Sequence, residues 1–307
     1  MKNMTITQLR YVIAISQANS MNEAARHLFI SQPSLSASVK DLEEEIGIEL
    51  FRRTNRGVMV TPEGEEFLGY ARQVVEQYQL IETRYVEKKE VKKKFSVSMQ
   101  HYTFAVNAFV EMVKQFGMDE YEFAIHEEKT YEVIEDVKNF KSEIGILYLN
   151  GFNRKVLTKL FQEYGLEFHE ILRCGVYVYL WKGHPLAQKE EIALEELEQY
   201  PCLSFEQGDY NSFYFAEEVL STYEYKQLIK ANDRATMLNL MVGLNGFTLC
   251  SGIICEELNG SEYCAVKLKS EEVMTIGYLS RKGTAISPLG QKYLEELAKF
   301  QSAARLN

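Results

Sequence analysis

Side chains that can hydrogen-bond to the bases and phosphates of DNA are clustered between residues 31 and 40. They are small hydroxyls, one amide and one ammonium group, and they occur where a helix would begin. Ser31 is a favourable N-cap, and Pro33 suits the first turn because its missing N–H costs no hydrogen bond there. The candidate DNA-contacting residues of this segment are Ser31, Gln32, Pro33, Ser34, Ser36 and Lys40.

Residues 20–47 have the pattern of two short helices joined by a tight turn. Ser20 and Glu23 form the S-x-x-E pattern of a capping box, which starts the first helix. In the second helix, apolar residues spaced by four, three and four positions bury one stripe, and Gly47 would end it in the left-handed conformation. This layout is typical of a helix-turn-helix, whose second helix enters a DNA groove by its N-terminal end. From the two helices alone, a small helical bundle remains an alternative.

A short β-hairpin that carries arginines is predicted after these helices. Two apolar pieces, residues 50–51 and 58–60, flank a turn at residues 54–57, as expected for a wing. Arginines on a wing are placed to contact phosphates or to enter the minor groove. The candidate residues are Arg52, Arg53 and Arg56.

This segment resembles the winged helix-turn-helix of LysR-type transcriptional regulators. The matching pieces are SQPSLS at residues 31–36, LEEEIGIELFRR at 42–53 and VTPEG at 60–64. The resemblance implies a sequence-specific regulator that binds an inverted-repeat operator in double-stranded DNA as a homodimer, and such dimers commonly pair into homotetramers. Relatives usually carry Arg or Gln after the second serine of the SQP-x-x-S pattern, whereas this chain has Ala37 and Ser38. Direct base readout would therefore rely on the shorter side chains.

Residues 1–60 are thus expected to form the DNA-binding domain, and residues 61–94 a long linker helix. Thr61 and Pro62 make a strong helix start. Apolar residues then recur at alternating intervals of four and three, a heptad seam that favours pairing with a second copy of the helix. The alternative is packing on its own domain, and residues 88–94 are predicted to form a charged hinge. The seam residues are Phe67, Ala71, Val74, Tyr78, Ile81 and Tyr85.

Composition and charge limit the class of protein. The chain has 307 residues, of which 46% are hydrophobic, and it has no apolar run long enough to cross a membrane. Its N-terminus lacks the apolar region of a signal peptide, so a cytoplasmic protein without a membrane partner is expected. The net charge is −10. Because residues 1–94 carry 14 basic and 13 acidic side chains, DNA binding would depend on a local basic face.

The remaining residues, 95–307, alternate between strand and helix patterns, which predicts an α/β domain with a largely parallel sheet. A helix is expected over residues 213–223. The chain is expected to leave a first lobe near residue 165 and to return near 268. Lobe I would then comprise residues 95–165 and 268–307, and lobe II residues 166–267.

This two-lobed pattern resembles the effector domain of the same family, which is similar to periplasmic binding proteins. The matching motifs are HPLA at residues 184–187, LEELEQYP at 194–201, GLNGFTLCSGI at 243–253 and ISPLGQKYLEEL at 286–297. Together they extend the resemblance over nearly the whole chain. The resemblance implies that a small-molecule effector binds between the lobes and modulates the regulator.

Polar and aromatic residues at the carboxyl ends of the predicted strands are the candidate effector-binding residues. Ligands of open α/β sheets collect there and at helix N-termini, and the resemblance implies the loop after the first strand. Many relatives have small Ser or Thr residues in that loop, whereas the larger side chains here predict a bulkier or aromatic-stacking ligand. The candidates are Gln100, His101, Tyr102, Thr103, Glu128, Lys129, Tyr148, Asn150, Phe205 and Gln207.

Other classes of protein have less support in the sequence. It contains no nucleotide-binding glycine motif, no G-x-S-x-G and no H-E-x-x-H, so no enzyme and no cofactor are expected. The histidines and the five cysteines do not have metal-ligand spacing, so we expect no metal and free, buried thiols. An exported binding protein would have no reason to carry a winged helix, and a DNA-bending protein would not need a ligand cleft.

Overall fold

The computed structural model describes residues 4–18, 20–54, 57–86, 92–116, 120–210 and 212–302. For Arg53, Thr54, Gly57 and Arg84 the structure describes the backbone only. The chain divides into two compact units, Met1–Lys92 and Lys93–Asn307. Within the described ranges, no helix combines the length and the apolar character needed to cross a membrane.

The first unit is a winged helix-turn-helix followed by a longer helix, as predicted. Its core is formed by apolar side chains from every helix, among them Val12, Ala24, Leu35 and Leu68. The small side chain of Ala24 lets neighbouring helices approach closely. The elements are α1 (Ile6–Ala18), α2 (Met21–His27), α3 (Gln32–Ile46), β1 (Phe51–Thr54), β2 (Gly57–Val60) and α4 (Pro62–Ile81).

Local capping defines the helices of the helix-turn-helix. Ser20 Oγ accepts a hydrogen bond from the Glu23 N–H, and Ser31 Oγ accepts one from the Ser34 N–H at 3.2 Å. These bonds satisfy backbone donors that have no partner within the helix. Gly47 ends α3 with a φ of 74°, a conformation that favours glycine.

The wing is joined closely to the start of α4. β1 and β2 pair in antiparallel register from Phe51 opposite Val60, and the turn residues 55 and 56 lie outside the described residues. Thr61 Oγ1 donates a hydrogen bond to the Glu49 carbonyl at 2.6 Å. A side chain at Gly64 would place its Cβ 2.3 Å from the Leu50 carbonyl oxygen, so only glycine fits at this contact.

The linker helix is shorter than predicted. α4 ends at Ile81 and is followed by a π-helical turn, Glu82–Val86. The prediction that the helix continues to Lys94 is wrong at its end, because Lys93 and Lys94 are the first residues of a strand that pairs with Tyr121 and Glu122. Residues 87–91, which contain most of the predicted hinge, lie outside the described residues.

The predicted seam on α4 divides into a buried and an exposed half. Ala71 is buried and Phe67 partly buried against the other helices of the same unit. The later seam residues are exposed, with Ile81 at 56% and Tyr85 at 68% of their full surface. The helix therefore packs on its own domain at its start and presents an apolar row towards its end. The exposed row consists of Val74, Tyr78, Ile81 and Tyr85.

The second unit contains two α/β lobes, as predicted. Its strands are β3 (Lys93–Met99), β4 (Tyr121–Glu127), β5 (Ile144–Leu149), β6 (Leu166–Cys174), β7 (Tyr177–Trp181), β8 (Glu191–Ile192), β9 (Cys202–Phe205), β10 (Leu228–Ala231), β11 (Thr248–Cys250), β12 (Tyr263–Leu268) and β13 (Met274–Arg281). Its helices are α5 (Thr103–Lys114), α6 (Thr130–Lys138), α7 (Arg154–Glu163), α8 (Arg234–Leu244), α9 (Glu256–Asn259) and α10 (Pro288–Ala298).

Lobe I is built on a five-stranded sheet with the order β4-β3-β5-β13-β6. β5 is buried along its whole length because helices cover both faces of the sheet. Its alternate residues pack on opposite sides: Ile146 lies in the cluster with α5 and α10, and Leu147 in the cluster with α6 and α7. Helix α7 was not foreseen in the sequence.

The strand arrangement corrects two predictions. The expectation of a largely parallel sheet holds for β4, β3 and β5 only, since β13 is antiparallel to both β5 and β6. The chain leaves lobe I after Cys174 rather than near residue 165, because β6 pairs with β13 from Leu166 opposite Arg281 to Cys174 opposite Met274. Both crossings between the lobes therefore lie side by side.

Lobe II contains a four-stranded sheet with the order β11-β7-β12-β8 and a parallel pair, β9 and β10. The helix predicted over residues 213–223 is wrong: only Phe213–Phe215 form a 3-10 turn, and Leu220 has a φ of 58°. The reason lies in Glu217 and Glu218, whose carboxylates turn inward to accept backbone hydrogen bonds from His101 and Phe205.

Candidate DNA-reading surface and effector cleft

The N-terminal end of α3 presents the predicted polar residues. Ser31, Pro33, Ser34 and Lys40 are exposed, while Gln32 and Ser36 are half-buried. The hydroxyls of Ser31 and Ser34 lie 2.7 Å apart. On the opposite side of the helix the stripe of Leu35, Val39 and Leu42 is buried. The helix thus offers short hydrogen-bonding side chains at its start while its apolar side is held by the core.

Two of the predicted basic residues are paired with carboxylates on the surface. Lys40 Nζ lies 3.7 Å from Glu44, and Arg52 Nε lies 3.3 Å from Glu49. Such exposed pairs contribute little free energy in water, so a phosphate can compete for either cation. The side chain of Arg53 and the whole of Arg56 lie outside the described residues.

Glu43 is a positioning residue that sequence analysis missed. It lies in an acidic run near the C-terminal end of α3. Its Oε1 accepts hydrogen bonds from the N–H groups of Leu50 at 2.7 Å and Phe51 at 3.2 Å. One carboxylate of the recognition helix therefore holds the first strand of the wing. No local sequence pattern indicates this contact, because it depends on how the chain turns at Gly47.

Phe29 is a second feature that the sequence did not indicate. It lies in the turn between α2 and α3 with a φ of 54°, and its side chain is 95% exposed. A bulky residue in the left-handed conformation is uncommon and carries a steric cost. Its backbone N–H donates to the Arg26 carbonyl, which shows that the turn itself is hydrogen-bonded.

Four of the predicted effector residues line one cavity between lobes I and II. His101, Tyr102, Thr103 and Phe205 surround a space of about 90 Å³. The ring of His101 stacks on that of Phe205, with 3.7 Å between the centroids and 5° between the planes. This stack joins the two lobes of the protein, and the expectation of a ligand that stacks at this loop stays a prediction.

The other predicted effector residues do not line this cavity. Gln100 is buried, and its side chain donates to Thr130 Oγ1 at 2.5 Å and accepts from the Tyr148 N–H at 3.1 Å. Asn150 accepts from the N–H groups of Phe152 and Asn153 and so fixes a turn. These side chains act inside the fold.

Several of these residues instead connect the lobes. The Tyr148 hydroxyl donates to the Ala216 carbonyl at 3.2 Å, and the Thr130 N–H donates to Gln207 Oε1 at 3.0 Å. Lys129 Nζ lies beside Gly208, and Glu128 pairs with Lys141 at 3.4 Å within lobe I. Their role as effector contacts stays a prediction.

Arg234, Asn259, Glu217, Glu218 and Thr248 also line the cavity and were missed in the sequence. Arg234 and Asn259 both donate to Thr103 Oγ1, at 2.6 and 2.9 Å. The two glutamates were hidden by the false helical pattern of residues 213–223. Arg234 could have been suspected, since it opens a helix directly after a strand.

Burial dominates the electrostatics of the cleft. Burial, with the neighbouring charge of Glu217 as the second cause, raises the pKa of Glu218 to about 8. Burial also raises the pKa of Tyr102 and of Tyr148 well above the ordinary value for a tyrosine. The buried phenols remain hydrogen-bond donors at neutral pH, and the Glu218 carboxyl is largely protonated there.

The five thiols are free and poorly suited to redox chemistry. Burial raises the pKa of Cys174 and of Cys250 to about 12 and that of Cys255 to about 11. It also raises the pKa values of Cys202 and Cys264. Because the thiolate is the reactive form, burial lowers the reactivity of Cys174, Cys250 and Cys255 near pH 7. Among the described residues, no group of three or more His, Cys, Asp or Glu side chains could hold a metal ion.

Two family models match this chain, one in each of its two compact units. Residues 6–65 match the model of the bacterial regulatory helix-turn-helix protein, lysR family, and residues 101–301 match that of the LysR substrate binding domain. The transcriptional regulator TfdT of Cupriavidus pinatubonensis is 44% identical over 72 residues, which cover 24% of this chain and 32% of that protein.

Full-length similarity is lower but extends over almost the whole chain. A hydrogen peroxide-inducible genes activator of Pectobacterium carotovorum is 24% identical over 316 residues, covering 96% of this chain and 95% of that protein. A variant of full-length OxyR from Pseudomonas aeruginosa has the same fold, with a TM-score of 0.60 at 20% identity, over 99% of this chain and 96% of that one. The chain belongs to the LysR family of helix-turn-helix, DNA-binding transcriptional regulators that carry a substrate-binding domain.

Proposed function

We propose that this regulator reads an inverted-repeat operator with the N-terminal end of α3 in the major groove and the wing on the phosphate backbone. The observation that carries the proposal is the exposed polar start of α3, capped by Ser31 and backed by a buried apolar stripe. Gln32, Ser34, Ser36 and Lys40 would contact the DNA, with Pro33 shaping the first turn. Arg52, Arg53 and Arg56 would bind phosphates or the minor groove.

A homodimer joined through α4 is part of this proposal. Val74, Tyr78 and Ile81 of α4 and Tyr85 of the following π-helical turn form a row that is exposed in the single chain, and their sequence spacing is that of a helix-pairing seam. Covering this row with a second copy would remove apolar surface from water and would relate two recognition helices by a twofold axis. Two such dimers would form a homotetramer.

The cleft between the lobes is proposed to bind a small-molecule effector that changes the affinity for DNA. A cavity lined by both lobes supports this role, because a ligand there contacts both lobes at once. One relative is named for induction by hydrogen peroxide. The raised pKa values of all five thiols support a ligand rather than thiol oxidation as the signal here. We further propose that the chain binds DNA in the cytoplasm and catalyses no reaction.

Footprinting of the purified full-length chain on the DNA upstream of its own gene tests the DNA-binding proposal. A protected region with twofold sequence symmetry is expected, with protection that depends strongly on salt. Gln32→Ala should relax the sequence preference, whereas Asn22→Ala, on the exposed side of α2, should not. A chain that ignores duplex DNA at low ionic strength, or that sediments as a monomer, would contradict the proposal.

A further inference from the structure

The cavity between the lobes is small and mostly apolar. Its volume of about 90 Å³ is less than the roughly 150 Å³ of an engineered cavity that binds benzene. Met237, Leu249 and Ile253 of lobe II and Phe104 of lobe I supply much of the lining. A molecule that fits this space has a compact apolar body smaller than benzene, with room for few polar atoms.

A carboxylate of the protein itself lies close to the place where an anionic ligand would be expected. The start of α5 faces the cavity, and a helix N-terminus attracts anions. Glu217 Oε2 accepts a hydrogen bond from the His101 N–H at 3.0 Å and lies 2.8 Å from His101 Nδ1. Its Oε1 accepts from Gln207 Nε2 at 3.0 Å. A carboxylate from lobe II thus satisfies the polar groups that lead into α5.

The arginine that lines the cavity already has hydrogen-bond and ion-pair partners within the protein. Arg234 Nη1 donates to Thr103 Oγ1 at 2.6 Å, and Nη2 is paired with the Glu127 carboxylate. A ligand carboxylate would have to compete with Glu127 for this cation. It would also enter a site that already contains the buried carboxyl groups of Glu217 and Glu218. The Glu217 carboxylate and the pairing of Arg234 with Glu127 therefore make the cavity unfavourable for an anion.

Two buried polar groups of the lining remain available. Glu218 is buried, and its carboxyl accepts hydrogen bonds from the Phe205 N–H at 2.9 Å and from its own backbone N–H, which leaves acceptor capacity for a ligand. The Thr248 side chain is only 7% exposed, and its Oγ1 has no hydrogen-bond partner among the described residues. An unpaired buried hydroxyl costs free energy that a polar ligand atom would recover.

We propose that this cavity binds a small aliphatic amine, with its ammonium group held by Glu218 and Thr248 Oγ1, its apolar body against the methionine and leucine side chains, and Glu217 serving as a built-in anion just before α5. This inference rests on the proposed role of the cleft as the effector site. It specifies the charge and size of the effector, which the family relationship leaves open.

Binding of such an amine is coupled to the release of a proton. The pKa of Glu218 is raised to about 8, mainly by burial and then by Glu217, so the carboxyl is mostly protonated at pH 7. An ammonium group beside it favours the carboxylate and lowers this pKa, which expels the proton to the buffer. The other titratable or charged groups around Glu218 are His101, Tyr102, Tyr148, Cys202, Tyr225, Lys230 and Arg234.

Calorimetric titration of the full-length chain at pH 7 tests the proposal with three probes of similar shape: isobutylamine, isobutanol and isobutyrate. The amine should bind at least about tenfold more tightly than the other two. Repeating the amine titration in buffers of different ionisation enthalpy should show release of nearly one proton per site. Isobutyrate or isobutanol binding as tightly as the amine, or amine binding without proton release, would overturn the proposal.

Variants of the lining add a second test. Glu218→Gln keeps the shape of the side chain and should weaken amine binding at least about tenfold, while the matched control Glu206→Gln, at an exposed neighbouring position, should not change it. Unchanged amine affinity in Glu218→Gln would overturn the proposal. If that variant does not fold, as judged by circular dichroism, unchanged affinity in Thr248→Val has the same consequence.

Gel shifts on the same preparations separate this inference from the proposed function. A chain that binds its operator but prefers isobutyrate refutes only the ligand class. A chain that fails to bind any duplex at low salt refutes the proposed function, whatever its cavity binds.

Discussion

Glu43 Oε1 lies 2.7 Å from the backbone nitrogen of Leu50 and joins the recognition helix to the wing. The same oxygen accepts a second hydrogen bond from the Phe51 N–H. Two elements that would touch different parts of a DNA duplex are thus held at a fixed separation by one carboxylate. Because both donors are backbone groups, no other side chain has to be in place for this contact.

We expect Glu43→Ala to destabilise the first unit by about 1–3 kcal/mol, because two backbone donors lose their acceptor. DNA affinity should fall as well, since the wing is no longer fixed. Urea unfolding and gel shifts of the full-length chain measure both effects. The control is Glu45→Ala, whose exposed carboxylate accepts a hydrogen bond from the Met4 N–H and does not contact the wing. Equal stability of the two variants would show that the contact has no energetic weight.

Salt dependence should distinguish phosphate contacts from base contacts. Arg53→Ala is expected to weaken binding to all sequences and to lower the slope of log affinity against log salt by roughly one unit. Gln32→Ala should leave the slope unchanged and reduce the preference for the operator. Gel-shift titrations at several salt concentrations provide both values, and an unaltered slope in the arginine variant would speak against a phosphate contact.

The exposed apolar row that begins on α4 predicts how the proposed dimer can be broken. Ile81→Asp places a charge in the proposed seam and should shift the chain towards monomer, with a loss of operator affinity, because a buried unpaired charge is costly. Gln79→Asp adds the same charge at an exposed polar position of the same helix and should leave the dimer intact. Sedimentation velocity measures the distribution. A dimer that persists in Ile81→Asp would place the interface elsewhere.

The raised pKa of Glu218 predicts a pH dependence of stability. Its value of about 8 in the folded chain lies above the ordinary 4.5, because burial and Glu217 disfavour the charged form. The contribution to stability is therefore complete below about pH 4.5 and is lost as the pH rises through 8. Its size is on the order of a few kcal/mol. Urea midpoints should fall between pH 6 and pH 9 in the native chain and fall less in Glu218→Gln.

Peroxide treatment should have little effect on DNA binding. Each thiol has a raised pKa, so the reactive thiolate is scarce at pH 7 and becomes common only as the pH approaches 11 to 12 for Cys255, Cys174 and Cys250. Gel shifts before and after exposure to hydrogen peroxide should coincide, and thiol titration of the native chain should be slow. Rapid loss or gain of operator binding would identify an oxidation-sensitive cysteine.

The sequence predicted the elements whose determinants are local. The helix-turn-helix could be recognised because Ser20, Ser31 and Gly47 define helix ends within a few residues of the apolar stripe. The strand Leu166–Cys174 could not be assigned to its lobe, because its partner lies about a hundred residues later in the chain. A pairing at that distance leaves no periodic signal near either strand.

The candidate cleft was predicted in part for the same reason. His101, Tyr102 and Thr103 could be placed at the cavity because they follow a strand and open a helix. Gln100 has the same kind of position, but Thr130 and Tyr148 satisfy its amide inside the fold. Glu217 and Glu218 fit a helical pattern in the sequence. The chain there is not a helix because Glu217 accepts a hydrogen bond from the His101 N–H of the opposite lobe, a contact that the local sequence does not indicate.

The pairing of Cys174 with Met274 restricts how the cleft can open. The two chain segments that connect the lobes both start at one adjacent pair of strands, β6 and β13. Rotation of the lobes about these two segments would leave the β6–β13 pairing intact, whereas sliding or twisting would break hydrogen bonds between the two strands. A molecule bound in the proposed effector cleft would therefore be expected to act through the angle between the two lobes.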